Sequence, residues 1–255
     1  MQRLGPHGLQ INKCVGGPRP DHHTVAVLCP SFAAELSMSV EALSSRVDAL
    51  ERKSWGSPAA DSGGDGISEA LRRARRHVEQ AGCYSSIWKR CPANYYDLGL
   101  EERRKILSAH STSQLCKACL FENKNFKPNE DGRKDPTNSQ YYLVVVQYVE
   151  EVNFEKLSSG LRALRPVGST RFGPKYFDFR QCDEFEKLTG YGHNGVSPFG
   201  LVDESIPIVL CKNVQSANPQ FIWMGGGHKD WKLGMAVSEF VKGLGALVLD
   251  ASDPR

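Results

Sequence analysis

The chain has 255 residues and a mass of 28.2 kDa, enough for one domain of ordinary size plus an appendage. Its hydrophobic fraction of 40% and charged fraction of 24% are typical of a soluble globular protein, and the lack of any apolar run of about 18 residues excludes a membrane-spanning helix. The net charge of +3 is too small to indicate a polyanionic partner by itself.

The sequence predicts a tail, a helix and a linker at the N-terminus. Residues 1–33 lack both an amphipathic arginine-rich helix and an apolar signal-peptide core, so we expect a disordered tail and a cytoplasmic protein. In residues 34–53, apolar side chains from Leu36 to Leu50 recur at spacings of four and three, a heptad seam that favours a short parallel coiled coil. A helix packing on its own domain explains the same stripe, so self-association or docking on a partner stays open. Residues 54–66, rich in glycine, serine and aspartate, are typical of a flexible linker.

Residues 67–82 are predicted to form a basic helix that either packs on the following domain or serves as a basic arm. Leu71, Ala74 and Val78 follow helical spacing, and Gly82 provides a stop. Its arginines and the lysines of a later loop form patches that favour a phosphate backbone, although a solvated helix face and a solvated loop are the alternatives. The predicted tRNA-binding residues are Arg72, Arg73, Arg75, Arg76, Lys124 and Lys127.

Residues 83–255 are predicted to form one α+β domain in which strands and helices alternate around a single sheet. Helices are predicted over 100–110, 153–164, 182–188 and 238–244, and strands over 114–122, 141–148, 176–179, 206–211, 221–224 and 246–249. The continuous apolar run at 141–148 indicates a strand covered on both faces. Asn153 is the expected N-cap of the helix that follows it.

Eight cysteines raise the question of a metal site or disulfides. Cys116 and Cys119 form the only CxxC, without the second pair that a zinc ribbon needs. On a strand, residues three apart face opposite sides of the sheet, which disfavours chelation. We therefore expect free thiols in a reducing compartment, and no metal or cofactor.

Two glycine-rich segments are the candidate site. The first runs from Gly190 to Gly200, and the second is the triple glycine Gly225 to Gly227. Each is predicted to be a loop that caps a buried strand, and glycine lets backbone amides approach a ligand closely. An ordinary turn and an ordinary bulge are the alternatives.

Four blocks of the sequence, in order, resemble the YbaK family of aminoacyl-tRNA deacylases, which is also the editing domain inserted in bacterial prolyl-tRNA synthetases. The blocks are Leu115–Phe121, Tyr141–Leu157, Leu188–Gly200 and Ile222–Gly227. The resemblance covers Gln114 to Ser252. It implies a mixed sheet curled toward a barrel, with helices packed outside.

The chain departs from the family pattern at three positions. Asn194 stands where a glycine is usual, and asparagine is the residue that best tolerates a left-handed backbone in its place. Ala118 replaces a threonine after the pocket lysine, and Gly225 lies near a position that carries histidine in relatives that edit alanyl-tRNA. The departures leave the expected fold in place and leave the choice of substrate open.

The resemblance implies a pocket lysine, which Lys117 matches, and oxyanion stabilisation by the amides of both glycine segments. Lys117 is an ammonium on an otherwise apolar strand, although an edge-strand lysine that reaches solvent is the alternative. His228 either assists proton transfer, binds phosphate or is an exposed bystander. The predicted catalytic residues are Lys117, Gly195, Ser197 and Gly226, and the predicted substrate-binding residues are Asn194, Val196, Pro198, Gly225, Gly227 and His228.

The expected function is hydrolysis of mischarged aminoacyl-tRNA, with cysteine or alanine on proline tRNA as the substrate that the resemblance implies. No serine-hydrolase motif is present, so backbone amides and a lysine are expected to suffice. The alternative is a catalytically weak tRNA-binding scaffold that joins an aminoacyl-tRNA synthetase assembly through Leu36 to Leu50.

Overall fold

The computed structural model describes residues 68–129, 132 and 134–255. The predicted tail, coiled-coil helix and linker fall outside the described residues and stay predictions. The helices are α1 (Glu69–Gln80), α2 (Leu100–Leu107), α3 (Phe154–Ala163), α4 (Phe185–Thr189) and α5 (Val237–Leu244). The strands are β1 (Ile87–Arg90), β2 (Cys116–Asn123), β3 (Tyr141–Gln147), β4 (Glu150–Val152), β5 (Phe179–Gln181), β6 (Ile208–Cys211), β7 (Phe221–His228), β8 (Trp231–Ala236), β9 (Leu247–Leu249) and β10 (Ser252–Pro254). Within the described residues, none of the helices has the length and apolar character needed to cross a membrane.

The largest sheet has five strands in the order β5-β2-β3-β6-β9. Strand β2 pairs antiparallel with β3 and β5, while β3 pairs parallel with β6, and β6 with β9. Strand β3 is the central strand of this sheet. Its residues from Tyr142 to Gln147 are all buried, as expected of a strand covered on both faces. The prediction of an α+β fold with a mixed sheet is confirmed.

A second, antiparallel sheet has the order β1-β8-β7, and β10 pairs with β4. The two larger sheets meet at an isolated parallel bridge between Leu115, just before β2, and Trp223 of β7. The start of β2 therefore lies beside the strand that carries the triple glycine.

Helix α1 packs on this domain. Ser68 caps its N-terminus by accepting a hydrogen bond from the Leu71 amide at 3.2 Å. Its buried face, Leu71, Ala74 and Val78, is 0–1% exposed, and Ala74 and Val78 join the core formed by β3, β6, β7 and β8. Of the two predictions for this segment, a packed helix and a free basic arm, the first is the one observed.

A small second core lies apart from the main one. It contains Cys91, Leu107, Ala109, Leu115 and Trp223, together with Tyr95 of a short 3-10 turn over Tyr95–Asp97. Tyr96 and Tyr148 pack against it while partly buried. This aromatic layer supports the part of the second sheet nearest the candidate site.

Several predicted elements need correction. The triple glycine is not a loop but part of β7, with a register shift between Gly225 and His228. The strand predicted at 176–179 begins only at Phe179, and β1, β4, β8 and β10 were not predicted. The expected N-cap is confirmed, because the Asn153 side chain accepts hydrogen bonds from the amides of Glu155 and Lys156 at 2.9 and 3.0 Å. The CxxC lies on β2, where alternation separates its thiols.

Candidate functional site

The two glycine segments are in direct backbone contact. The Gly227 amide donates to the Gly195 carbonyl at 2.9 Å. A methyl group added at Gly225 would overlap the carbonyl oxygen of Val196, and one added at Gly195 would lie 3.2 Å from the backbone of His228. The first segment therefore lies against the strand, and only glycine permits this approach at Gly225.

Asn194 has a left-handed backbone, with φ of 63°, as predicted for an asparagine in place of glycine. Its carbonyl accepts a hydrogen bond of 2.6 Å from the hydroxyl of Tyr96. The turn that begins the Gly195–Pro198 segment is therefore held from outside by a side chain 98 residues earlier in the chain.

The amides of this site are not equally available. Those of Gly195 and Gly227 donate to the carbonyls of Gly192 and Gly195, so the prediction that they face a substrate needs correction. Across the described residues, the amides of Val196 and Ser197 find no hydrogen-bond acceptor. These two N–H groups are donors without an acceptor, but Ser197 is fully buried, so only the half-buried Val196 lies near the surface.

Ser197 does not present its hydroxyl at the surface. The residue is fully buried, and its Oγ accepts a hydrogen bond from the Phe199 amide at 3.2 Å. This bond stabilises the turn around Pro198. The predicted contact between the Ser197 hydroxyl and a substrate is replaced by this structural role.

Arg73, predicted to bind tRNA, is occupied inside the protein. Its guanidinium donates to the Gly200 carbonyl at 2.6 Å and to the Gly190 carbonyl at 2.8 Å, and it stacks over the Tyr191 ring at 4.9 Å from its centre. His77 accepts a hydrogen bond from the Gly200 amide at 2.7 Å. Helix α1 thus holds both ends of the first glycine segment, and the role of Arg73 in the structure is to bind the carbonyls at these two ends.

The other basic residues predicted to contact tRNA lie at the surface, most of them beside a carboxylate. The ion pairs are Arg72–Glu69 at 4.0 Å, Arg75–Glu79 at 2.9 Å and Lys124–Glu122 at 2.5 Å. Arg76 and Lys127 are exposed. Surface ion pairs of this kind stabilise a protein by only about 0–1 kcal/mol each.

Lys117 is half-buried on β2 and makes no hydrogen bond or ion pair with any described residue. Burial lowers the pKa of its ammonium, and the groups that act on its charge are Cys119, Arg255 and Glu151. Cys119 lies on β2, Glu151 lies on β4, and Arg255 follows β10, which pairs with β4, so none of the three belongs to the glycine segments. Lys117 therefore has no ion pair within 4.0 Å among the described residues, and the charges that act on it lie away from the glycine segments.

Lys232, which the sequence analysis missed, is the lysine buried beside the glycine segments. It lies on β8 directly opposite Gly225 and is 3% exposed. Its Nζ donates to the Tyr96 hydroxyl at 2.8 Å and to the Lys229 carbonyl at 2.9 Å, above the rings of Tyr95 and Tyr96. Burial, the largest cause, lowers its pKa to about 8. An ammonium on an otherwise apolar strand, the signal used for Lys117, was also present here.

Two cavities border the site. The smaller, of about 10 Å³, has room for one water molecule and is lined by the tyrosines, Gly225 and Lys232. The larger is a groove of about 710 Å³, lined among others by Pro198 and His77. Lys117 lines neither of them.

His228 and His193 are not buried in the site. His193 is exposed, and His228 is half-buried at the end of β7. The Nδ1 of His228 accepts from the Asp230 amide at 3.2 Å and lies 3.9 Å from the Asp230 carboxylate. His228 thus organises its own turn, which leaves its predicted role toward a substrate as a prediction.

Solved structures share this fold. No protein-family model matches the sequence, and no curated protein matches it. A structure described as a "putative trans-editing enzyme for prolyl tRNA synthetase" matches 74% of this chain and 99% of its own, with a TM-score of 0.56 and 19% identity. A hypothetical protein, APE2540, matches 71% of this chain and 99% of its own, with a TM-score of 0.51 and 20% identity. A scaffold protein from a computational epitope-grafting study matches with a TM-score of 0.54 and 18% identity over 74% of this chain and 99% of its own. The chain has the fold of these proteins.

Replacing Gly225 by alanine is expected to separate the two glycine segments. The added methyl group overlaps the Val196 carbonyl, which is backbone and cannot rotate away, so the loop must shift. We expect a loss of about 1–3 kcal/mol in the free energy of unfolding, measured by urea denaturation. Gly173→Ala is the matched control, because no atom lies within 4 Å of its added methyl group. Equal stability of the two variants would show that the segments do not touch.

Between pH 8 and 10, the free energy of unfolding of the wild type is expected to rise relative to that of Lys232→Met. The pKa of Lys232 is about 8 in the folded protein and 10.5 by its ordinary value, so the unfolded chain binds more protons throughout this interval. By pH 10 the free energy of unfolding of the wild type is expected to have risen by about 2–3 kcal/mol relative to that of Lys232→Met, because one unit of pKa shift corresponds to about 1.4 kcal/mol. Denaturation of both proteins at each pH measures it, and parallel curves would refute a depressed pKa.

Proposed function

We propose that this protein is a trans-editing hydrolase, which cleaves the ester bond of mischarged aminoacyl-tRNA. The observation that carries the proposal is the held Gly195–Ser197 segment, in which the amides of Val196 and Ser197 have no acceptor among the described residues. Two adjacent, preorganised N–H donors are what a developing oxyanion requires. The shared fold with a structure described as a putative trans-editing enzyme supports the same reaction class.

The proposed mechanism uses backbone donors and a bound water. The ester of an aminoacyl-tRNA is already activated, so a positioned water and a stabilised oxyanion suffice for its hydrolysis. The amides of Val196 and Ser197 receive the oxyanion, and groups of the substrate itself assist the attack of the water. No side-chain nucleophile of the protein takes part.

Lys117 is proposed to bind the substrate rather than to activate it. Its ammonium is partly desolvated and has no counter-ion in the described chain, so an anionic group of the tRNA end gains a strong partner there. The backbone of Leu115 pairs in parallel with that of Trp223. Lys117 lies two residues after Leu115, and Gly225 lies two residues after Trp223. This pairing supports a substrate that contacts both the lysine and the glycine segments.

The proposed substrates are cysteine and alanine attached to proline tRNA. The cavity beside Gly225 holds about one water molecule, a size that favours a small side chain over a bulky one. Cys-, Ala- and Pro-charged proline tRNA are incubated with the full-length protein. We expect the first two to lose their amino acid faster than the uncatalysed rate, and the third to lose it least. Tight tRNA binding without turnover of any of them would refute the hydrolase.

Lys117→Ala is expected to reduce deacylation by at least about 100-fold with the fold intact. Loss of a charge-assisted contact made to the substrate in the transition state has an effect of this order. Single-turnover rates measure the reaction, and circular dichroism checks the fold. The control is Lys242→Ala, which removes an exposed lysine of α5. Retained activity in Lys117→Ala would defeat the assignment.

Removing the exposed cations Arg76 and Lys127 together is expected to weaken tRNA binding and flatten its salt dependence. Each lost phosphate contact lowers the slope of log affinity against log salt by about one. Affinities from filter binding between 50 and 300 mM salt give the two slopes. Arg180→Ala, at an exposed arginine paired with Asp178, serves as the control. A slope equal to that of the wild type would place tRNA elsewhere.

A further inference from the structure

A continuous hydrogen-bonded chain connects a buried cation to the turn that holds the candidate oxyanion donors. The ammonium of Lys232 donates to the Tyr96 hydroxyl at 2.8 Å, and that hydroxyl donates to the Asn194 carbonyl at 2.6 Å. Asn194 is the left-handed residue directly before Gly195 and Val196. The two hydrogen bonds join three elements that are far apart in sequence: β8, the 3-10 turn and the glycine segment.

The charge on Lys232 fixes the direction of this chain. An ammonium has three donors and no acceptor, so the Tyr96 oxygen can only accept from it. The single hydrogen of the Tyr96 hydroxyl is then directed to the Asn194 carbonyl at 2.6 Å, and the hydroxyl of Tyr148, which also hydrogen-bonds Tyr96, donates to the Tyr96 oxygen. When Lys232 loses its proton, the amine gains a lone pair that competes for this hydrogen. The bond to Asn194 is weakened, because its donor has acquired a second acceptor.

The surroundings of Lys232 oppose its charge without abolishing it. Burial is the largest cause that lowers its pKa, and Arg103 lowers it further, whereas Cys91 and Asp230 raise it. The titratable and charged groups that face the chain are Cys91 after β1, Tyr95 and Tyr96 on the 3-10 turn, Arg103 on α2, Tyr148 after β3 and Asp230 between β7 and β8. Burial raises the pKa of Cys91 and of all three tyrosines, so these groups stay neutral while Lys232 titrates.

We propose that Lys232 is a positioning residue whose protonation switches the Asn194 turn between a held and a released state. In the held state the charged lysine, through Tyr96, keeps the backbone of Val196 and Ser197 in its observed conformation. In the released state the turn is free to relax and these two donors change their positions. The inference rests on the proposed function for its effect on catalysis, and it makes editing an activity that is lost as the pH rises above neutral.

The test follows the carbonyl carbon of Asn194 and the Cε of Lys232 by 13C NMR in the full-length protein from pH 6.5 to 9.5. We expect both signals to titrate with one midpoint near pH 8, because the Asn194 carbonyl loses its donor when Lys232 loses its proton. In Tyr96→Phe the Lys232 signal still titrates, and the Asn194 signal stays constant. An Asn194 signal that is constant in the wild type, or that still follows Lys232 in Tyr96→Phe, would overturn the proposal.

Lys89→Met is the matched control. Lys89 lies opposite Lys232 on β1, but its ammonium contacts Ser108 at 3.3 Å and does not belong to the chain. The coupled titration is expected to persist in this variant. Lys232→Met removes it, and if that variant fails to fold, Tyr96→Phe still decides the question.

Deacylation measured across the same pH range separates this inference from the proposed function. Corrected for uncatalysed hydrolysis, kcat is expected to fall about tenfold through the midpoint with KM nearly unchanged, and to show no such step in Tyr96→Phe. A wild type that never deacylates but shows the coupled titration would overturn the hydrolase and support the switch. An active wild type whose kcat shows no step while Lys232 titrates would overturn the switch alone.

Discussion

The whole site depends on one close approach between two backbones. Gly225 of β7 accepts Val196 at a distance that no side chain permits, and the bond from the Gly227 amide to the Gly195 carbonyl fixes this approach. This bond uses the Gly227 amide, and a second bond, to the Gly192 carbonyl, uses the Gly195 amide. The amides of Val196 and Ser197, which follow Gly195, have no acceptor among the described residues. The contact that builds the loop therefore also decides which donors remain for a ligand.

Helix α1 and the 3-10 turn act on this loop from opposite ends. Arg73 and His77 bind the backbone around Gly200, while Tyr96 binds Asn194. A loop held at both ends by side chains of other elements loses little further entropy when it binds a transition state. One face of helix α1 and the guanidinium of Arg73 therefore have structural roles in the domain. The exposed Arg76 of this helix belongs to the proposed contact with tRNA.

The sequence was informative where the signal is local. The apolar run of β3, the Asn153 cap and the left-handed Asn194 follow from residue chemistry alone, and all three are observed. The sequence predicts a loop at the triple glycine because glycine is depleted in strands. The reason for glycine there is tertiary: Val196 and other neighbours approach the strand too closely for a side chain. No local sequence pattern predicts the hydrogen bond between Tyr96 and Asn194, which are 98 residues apart in the chain.

Lys117 and Lys232 have different surroundings. Lys117 has no hydrogen-bond or ion-pair partner among the described residues, so a phosphate or carboxylate that reaches it displaces no such partner there. Lys232 already donates to a hydroxyl and a carbonyl and lies over two aromatic rings. A substrate would have to displace these acceptors and leave them buried without a donor, which costs about 1–3 kcal/mol for each group. An ammonium so fully engaged is not offered to a ligand, and under the proposed function the cation that meets the substrate is Lys117.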